Sequence, residues 1–281
     1  MPPTLDDAWA KVEWAHHQLV RLDEIVKPFV KAKPYLVRDE LKADGGERVI
    51  WAESPQPPPP DVPFLFGDLV HSLHSALDYV VCSLVESVGQ DVRTSHAFPI
   101  FPDRLTYEAK APKMLRYVPY EAIKLINELQ PYHEAERATE HGVTVEQAAR
   151  DVEFMPLMRL YRLSIEEKHR ALLLATNVFS LAGTYVGHDR TPEQAGGIGF
   201  RVSPTYDKME IVIRVDPAKP NEHFDQNFTA KVALLKEGPS AMPIESLARM
   251  LYREVAHHVL AKIKRLGILP LSRPRQLPFA D

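Results

Sequence analysis

One cysteine, Cys82, occurs in 281 residues, so no intrachain disulfide can form and a disulfide scaffold is excluded. Long apolar runs are missing too. The nearest, Ala171 to Ala182, is interrupted by Asn177 and follows Lys168-His169-Arg170. A membrane-spanning helix needs about 20 such residues, so no membrane partner is expected. Charge of one sign is also scarce: 34 Lys and Arg stand against 38 Asp and Glu, a formal charge of −4. Nucleic-acid binders advertise themselves with a basic surplus, so nucleic acid remains a partner that net charge does not support. Glycine, at 12 residues, is too sparse for a collagen-like repeat. The opening Met1-Pro2-Pro3-Thr4-Leu5-Asp6-Asp7 lacks the basic start and apolar run of a signal peptide. These absences together lead to the expectation of a cytoplasmic protein.

What is present is helical periodicity. Leu5, Ala8, Val12, Ala15, Leu19, Leu22, Val26, Phe29 and Val30 recur at helical spacing and predict a helix over 4–33, ended by Pro34. Residues 35–53 read as a β-hairpin around Asp44-Gly45-Gly46. The prolines of 55–63 make a stiff extended connection. A second long helix follows from about Phe64 to Val88, with Phe66, Leu69, Leu73, Leu77, Val80, Leu84 and Val88 as its stripe. Shorter helices are expected at 104–116 and 120–130, and a polar one within 133–150. The strongest should follow Pro156 and run to about Ala182, apolar on nearly every side after Ala171. Strands are then expected within 196–237, and a last amphipathic helix over 243–266 with Gly267 as its stop. The reading is one α+β domain over 1–281: a bundle of long α-helices, with a helical core at 64–182, and a small antiparallel β-sheet. The first hairpin can join the later strands, but pattern alone does not decide it.

Several polar residues sit in apolar company. His71, His74 and Asp78 fall at i, i+3 and i+7 on the second helix, within one sector of about 60° beside the apolar stripe. Lys168 projects from a face defined by Leu157, Leu160, Tyr161, Ile165, Leu172, Ala175 and Phe179. An unpaired ammonium there is costly, so an Asp78–Lys168 pair linking two helices is expected, with Arg170 as the competing partner. One use of this cluster is structural, a satisfied polar network that fixes helix register. Another is catalytic, with His74, Asp78, Lys168 and His169 as the reacting groups. A third is a metal centre for one divalent transition metal: His71, His74 and Asp78, joined by His16, His169 or His258, would suit zinc, iron or manganese. No cofactor is otherwise implied. Gly196-Gly197-Ile198-Gly199 precedes no helix and reads as a strand entry, not a phosphate cradle. Cys82 reads as a packed small residue.

Four segments, in order, carry a resemblance: Gly67-Asp68-Leu69-Val70-His71-Ser72-Leu73-His74-Ser75-Ala76-Leu77-Asp78-Tyr79, Phe98-Pro99-Ile100, Leu129-Gln130-Pro131-Tyr132 and Glu167-Lys168-His169-Arg170. Together they resemble a group of uncharacterised bacterial and phage helical proteins, over about residues 65–180. In many of these the helix reads Arg-Ser-Ala-Leu-Asp-His, the Arg-x4-His pattern of HEPN ribonucleases of toxin and phage-defence systems. The corresponding residues here are His74 and Tyr79. Five residues apart, they point about 140° away from each other on a helix, so this resemblance implies a homodimer with its cleft at the interface. The leading expectation is a non-catalytic binding or assembly protein of unknown partner. A HEPN-like ribonuclease, or a degenerate relative, and a metal-dependent enzyme are the alternatives.

Overall fold

Thr4 opens the first helix with a reciprocal cap. Its N–H and its hydroxyl both donate to Asp7 Oδ2 at 2.8 Å, and the Asp7 N–H returns to the Thr4 hydroxyl at 3.3 Å. Helix α1 (Leu5–Lys31) then buries the stripe from Leu5 to Val26. Lys33 takes a left-handed φ of 52° just before Pro34, and the helix does not pass it. Helix α2 (Asp61–Ser87) starts earlier than expected, with Pro63 in its first turn, where a missing N–H does no harm. Its stripe from Phe66 to Leu84 is buried, while Val88 lies beyond its end and is exposed.

The structure is a computed structural model and describes residues 4–41, 47–53, 56–169, 174–185, 198–202, 208–214, 224–234 and 241–269. The fold is α+β. The chain forms two compact units: Met1–Val20, Leu65–Ala171 and Leu247–Asp281 make the first, and Arg21–Phe64 and Leu172–Ser246 the second. Among the described residues no helix is long and apolar enough to cross a membrane.

The first unit is helical. Beside parts of α1 and α2 it holds α3 (Arg104–Met114), α4 (Tyr120–Glu128), α5 (Tyr132–Glu140), α6 (Val145–Val152) and α7 (Pro156–His169). The polar stretch 133–150 is thus two helices, not one, parted by a turn in which Gly142 has a φ of +88° that only glycine adopts cheaply. The last predicted helix is α8 (Ile244–Arg253), a π-helical stretch (Glu254–Leu260) and α9 (Ala261–Arg265), stopped at Gly267 with φ +65°.

The second unit carries the strands: β1 (Leu36–Leu41), β2 (Glu47–Glu53), β3 (Leu174–Tyr185), β4 (Ile198–Val202), β5 (Lys208–Arg214) and β6 (Phe224–Leu234). Four form an antiparallel sheet in the order β1-β2-β5-β4, and β3 pairs antiparallel with β6. The first hairpin therefore does join a later strand, with Ile50 opposite Ile211.

One expectation fails here. The helix after Pro156 ends at His169, and 174–185 is strand β3, so the helical core does not extend to 182. Thr176, Val178, Phe179, Thr184 and Tyr185 are β-branched or aromatic, types that favour a pleated surface. A run apolar on all sides has no period of its own, and helix and strand cannot be told apart in it. The predicted inward face of α7 is also corrected. Leu157, Leu160 and Leu163 are buried, but Ile165 is 41% exposed.

Candidate functional site

His71, His74 and Asp78 share one side of α2, yet their surroundings differ. His71 is exposed. Asp78 Oδ1 accepts the backbone N–H of Phe98 at 3.0 Å, while its Oδ2 lies 3.6 Å from His74 Nδ1. The first is a hydrogen bond and the second only a charge contact. The two side chains are 16% (His74) and 33% (Asp78) exposed. The His74 ring stacks on Tyr161 of α7, with centroids 6.3 Å apart. The same two helices approach closely at Gly67, where an added Cβ would stand 3.2 Å from Glu167 Cγ. Tyr79 meets a different helix: Lys11 Nζ of α1 lies 5.8 Å from its ring centre. His74 and Tyr79 thus diverge within the chain.

The Lys168 and His169 side chains and Arg170 lie outside the described residues, and with them the expected Asp78–Lys168 pair. His16 is exposed beside Tyr252, at 5.4 Å between ring centres, and exposed His258 is engaged by Glu254 at 2.8 Å. His71, His74 and Asp78 do not close around an ion. Among the described residues no group of three His, Cys, Asp or Glu side chains could hold a metal. The Cys82 thiol is half-buried and pushed up, first by burial and then by the Asp78 carboxylate, the reverse of nucleophile activation.

The residues that Asp78 touches belong to a larger polar clamp. Gln130, buried, donates to the Pro99 carbonyl at 2.9 Å and to the Ile126 carbonyl at 3.0 Å, and accepts the Phe101 N–H at 3.3 Å. Asp78 and Gln130 together hold the chain at 98–101, in front of α3.

A groove of about 510 Å³ lies beside this clamp. It is lined by Pro102, Asp103 and Arg104 at the start of α3, by Tyr132, Ala135, Glu136, Thr139 and Glu140 of α5, and by Val145, Ala148 and Ala149 of α6. Most of that lining surface is apolar. Asp103 caps α3, taking the Thr106 N–H and hydroxyl at 2.8 Å each, which fixes Arg104 in the first turn. Thr144 caps α6 through the Gln147 N–H at 3.2 Å. Arg104 then makes a two-pronged bond to Glu136, Nε to Oε1 at 2.7 Å and Nη2 to Oε2 at 2.6 Å. Its guanidinium lies 5.1 Å over the Tyr132 ring. The hydrogen bond from Arg104 holds the Glu136 carboxyl below its usual range.

Behind the groove, the Tyr132 hydroxyl donates to Asn127 Oδ1, which His133 Nε2 also approaches at 3.2 Å. Tyr107 packs on Tyr132 with ring centres 5.7 Å apart. Burial, helped by Tyr132, pushes its phenol up to about 12. Its buried hydroxyl has no hydrogen-bond partner among the described residues.

The sequence points to helices at 104–116 and within 133–150 and to the segments Phe98-Pro99-Ile100 and Leu129-Gln130-Pro131-Tyr132 in this region, but not to the groove they form. Arg104 and Glu136 stand 32 residues apart on separate helices, and no spacing rule joins them. No family model, curated protein or solved structure matches the chain.

Proposed function

We propose that the protein is a non-catalytic binding protein, and that the groove between the start of α3 and the α5–α6 hairpin is where it holds a small ligand. The observation that carries this reading is the groove itself. Its volume falls in the range of small-ligand sites, about 300–1,000 Å³. Its walls are largely apolar, and its main polar feature, Arg104–Glu136, is already fixed by two hydrogen bonds. Apolar walls supply affinity, and a few placed polar groups supply orientation. A structural use of the Asp78 carboxylate is supported by its acceptance of the Phe98 main-chain N–H at 3.0 Å.

The test is a fragment screen read by amide chemical shifts, with Ala149→Trp as the control. Ala149 is exposed and lines the groove, so the indole fills the site without entering the core. The expected result is a set of fragments that shift amides of 103–104 and 132–149 in the wild type and not in the variant. Hits confined to other regions, or none at all, would contradict the reading.

The His74–Asp78 contact favours a second reading, a HEPN-like ribonuclease or a degenerate relative. A partly exposed imidazole beside a carboxylate is suited to proton transfer. Because His74 and Tyr79 diverge within one chain, this reading requires a homodimer, with Lys168 and His169 as further candidates. Incubating RNA with wild type and His74→Ala tests it, and an uncleaved substrate with wild type would end it. The metal-dependent enzyme shares the same pair. Elemental analysis after metal repletion tests that form, and a protein free of bound zinc, iron and manganese would end it.

A further inference from the structure

We infer that the groove selects a small organic ammonium, an apolar body carrying one positive charge; this rests on the reading of the groove as the binding site. The charge balance of the lining points that way. Asp103, Glu136 and Glu140 face a single cation, Arg104. That cation is already committed. Its Nε and Nη2 are both on Glu136, and its plane lies over Tyr132. An anionic headgroup would have to break the two-pronged bond before it could use Arg104. An ammonium needs no such rearrangement.

Glu140 supplies the natural contact. It stands one turn beyond Glu136 on α5, and it has no hydrogen bond or ion pair among the described residues. Two carboxylates at i and i+4 repel. Arg104 relieves Glu136, and a bound cation would relieve Glu140. The apolar body would lie along Ala135, Val145 and Ala148. A volume of about 510 Å³ suits a ligand of this size and not a docked helix, whose own diameter is about 10–12 Å.

The experiment uses the full chain and three matched probes: 4-phenylbutylammonium, 4-phenylbutanol and 4-phenylbutanoate. Each is titrated at low salt near pH 7, with Kd taken from amide shifts. The ammonium should bind at least tenfold more tightly than the carboxylate, with the alcohol between them. Glu140→Gln should weaken the ammonium about two- to fivefold, the size of one exposed charge contact. Glu140→Lys should reverse the order of ammonium and carboxylate, and Ala149→Trp should abolish binding of all three. If the three probes bind the groove equally and ignore Glu140→Lys, the ammonium assignment is overturned while the groove remains a binding site. If none shifts groove amides even at millimolar concentration, both the assignment and the binding reading fall.

Discussion

Asp78 and Gln130 grip the same short stretch of chain at 98–101, and their cost of removal can be stated. Asp78→Ala leaves the Phe98 N–H without its acceptor, and Phe98 is buried. A buried donor stripped of its partner costs about 1–3 kcal/mol, and urea unfolding should show that loss. Asp78→Asn keeps an acceptor oxygen and should lose clearly less. Gln130→Leu keeps the volume but orphans the Pro99 carbonyl and the Phe101 N–H, so a loss of about 1–3 kcal/mol is expected in the same assay. Sequence singled out Asp78 as a polar residue in apolar company. The bond from the Phe98 N–H was not legible, because a main-chain N–H 20 residues away leaves no side-chain signature. His96 offers a pH test. Its Nδ1 accepts the Arg93 N–H at 3.0 Å, so the ring is neutral there. Burial, then the Arg93 charge, hold it below the ordinary 6.5. The unfolded chain therefore takes up this proton first as pH falls. Its contribution to stability is full above about pH 6.5 and is lost as pH falls through the lower folded value. His96→Asn should flatten the decline in thermal stability over that window; an unchanged slope would contradict the assignment.

Single capping bonds decide how the groove's helices are set. Thr144→Ala removes the acceptor for the Gln147 N–H and should cost about 1 kcal/mol. Hydrogen exchange at 145–148 should speed up first, since fraying begins at the uncapped end. The long helices were legible because each buries one unbroken stripe, Leu5 to Val26 in α1 and Phe66 to Leu84 in α2. Strand β3 was not, because 171–182 offers an apolar side chain in almost every direction and the deciding partner, β6, lies some 50 residues on. The groove was less legible still. Arg104 and Glu136 each look like ordinary surface charge on a short polar helix, and only the α5–α6 turn at Gly142 and the clamp at 98–101 give them a shared setting. Electrostatics follow from that setting. Arg104 keeps Glu136 ionised to lower pH than a free glutamate, so the pair helps hold the groove above the unfolded carboxyl's pKa and releases it as pH falls through the folded value.

Across the whole molecule, the chain passes between its two units inside α1, inside α2, after α7 and inside α8. Neither unit is a continuous piece of sequence, so no single cut frees one of them. A chain ended after His169 would keep the β1–β2 hairpin but lose β5, which covers β2 from Glu47 to Glu53. Exposed strand edges pair with other chains, so this truncation should aggregate, as light scattering would record. The near-balanced charge of the full chain, −4, leaves recognition to local surfaces rather than to a long-range field. Of these surfaces the groove on α3, α5 and α6 is the proposed binding site. The most direct measurement is the affinity of 4-phenylbutylammonium for wild type and for Ala149→Trp, followed by amide shifts. Saturable binding centred on 132–149 is expected in the wild type, and none in the variant. Equal affinity in both proteins, or shifts centred outside the groove, would contradict it.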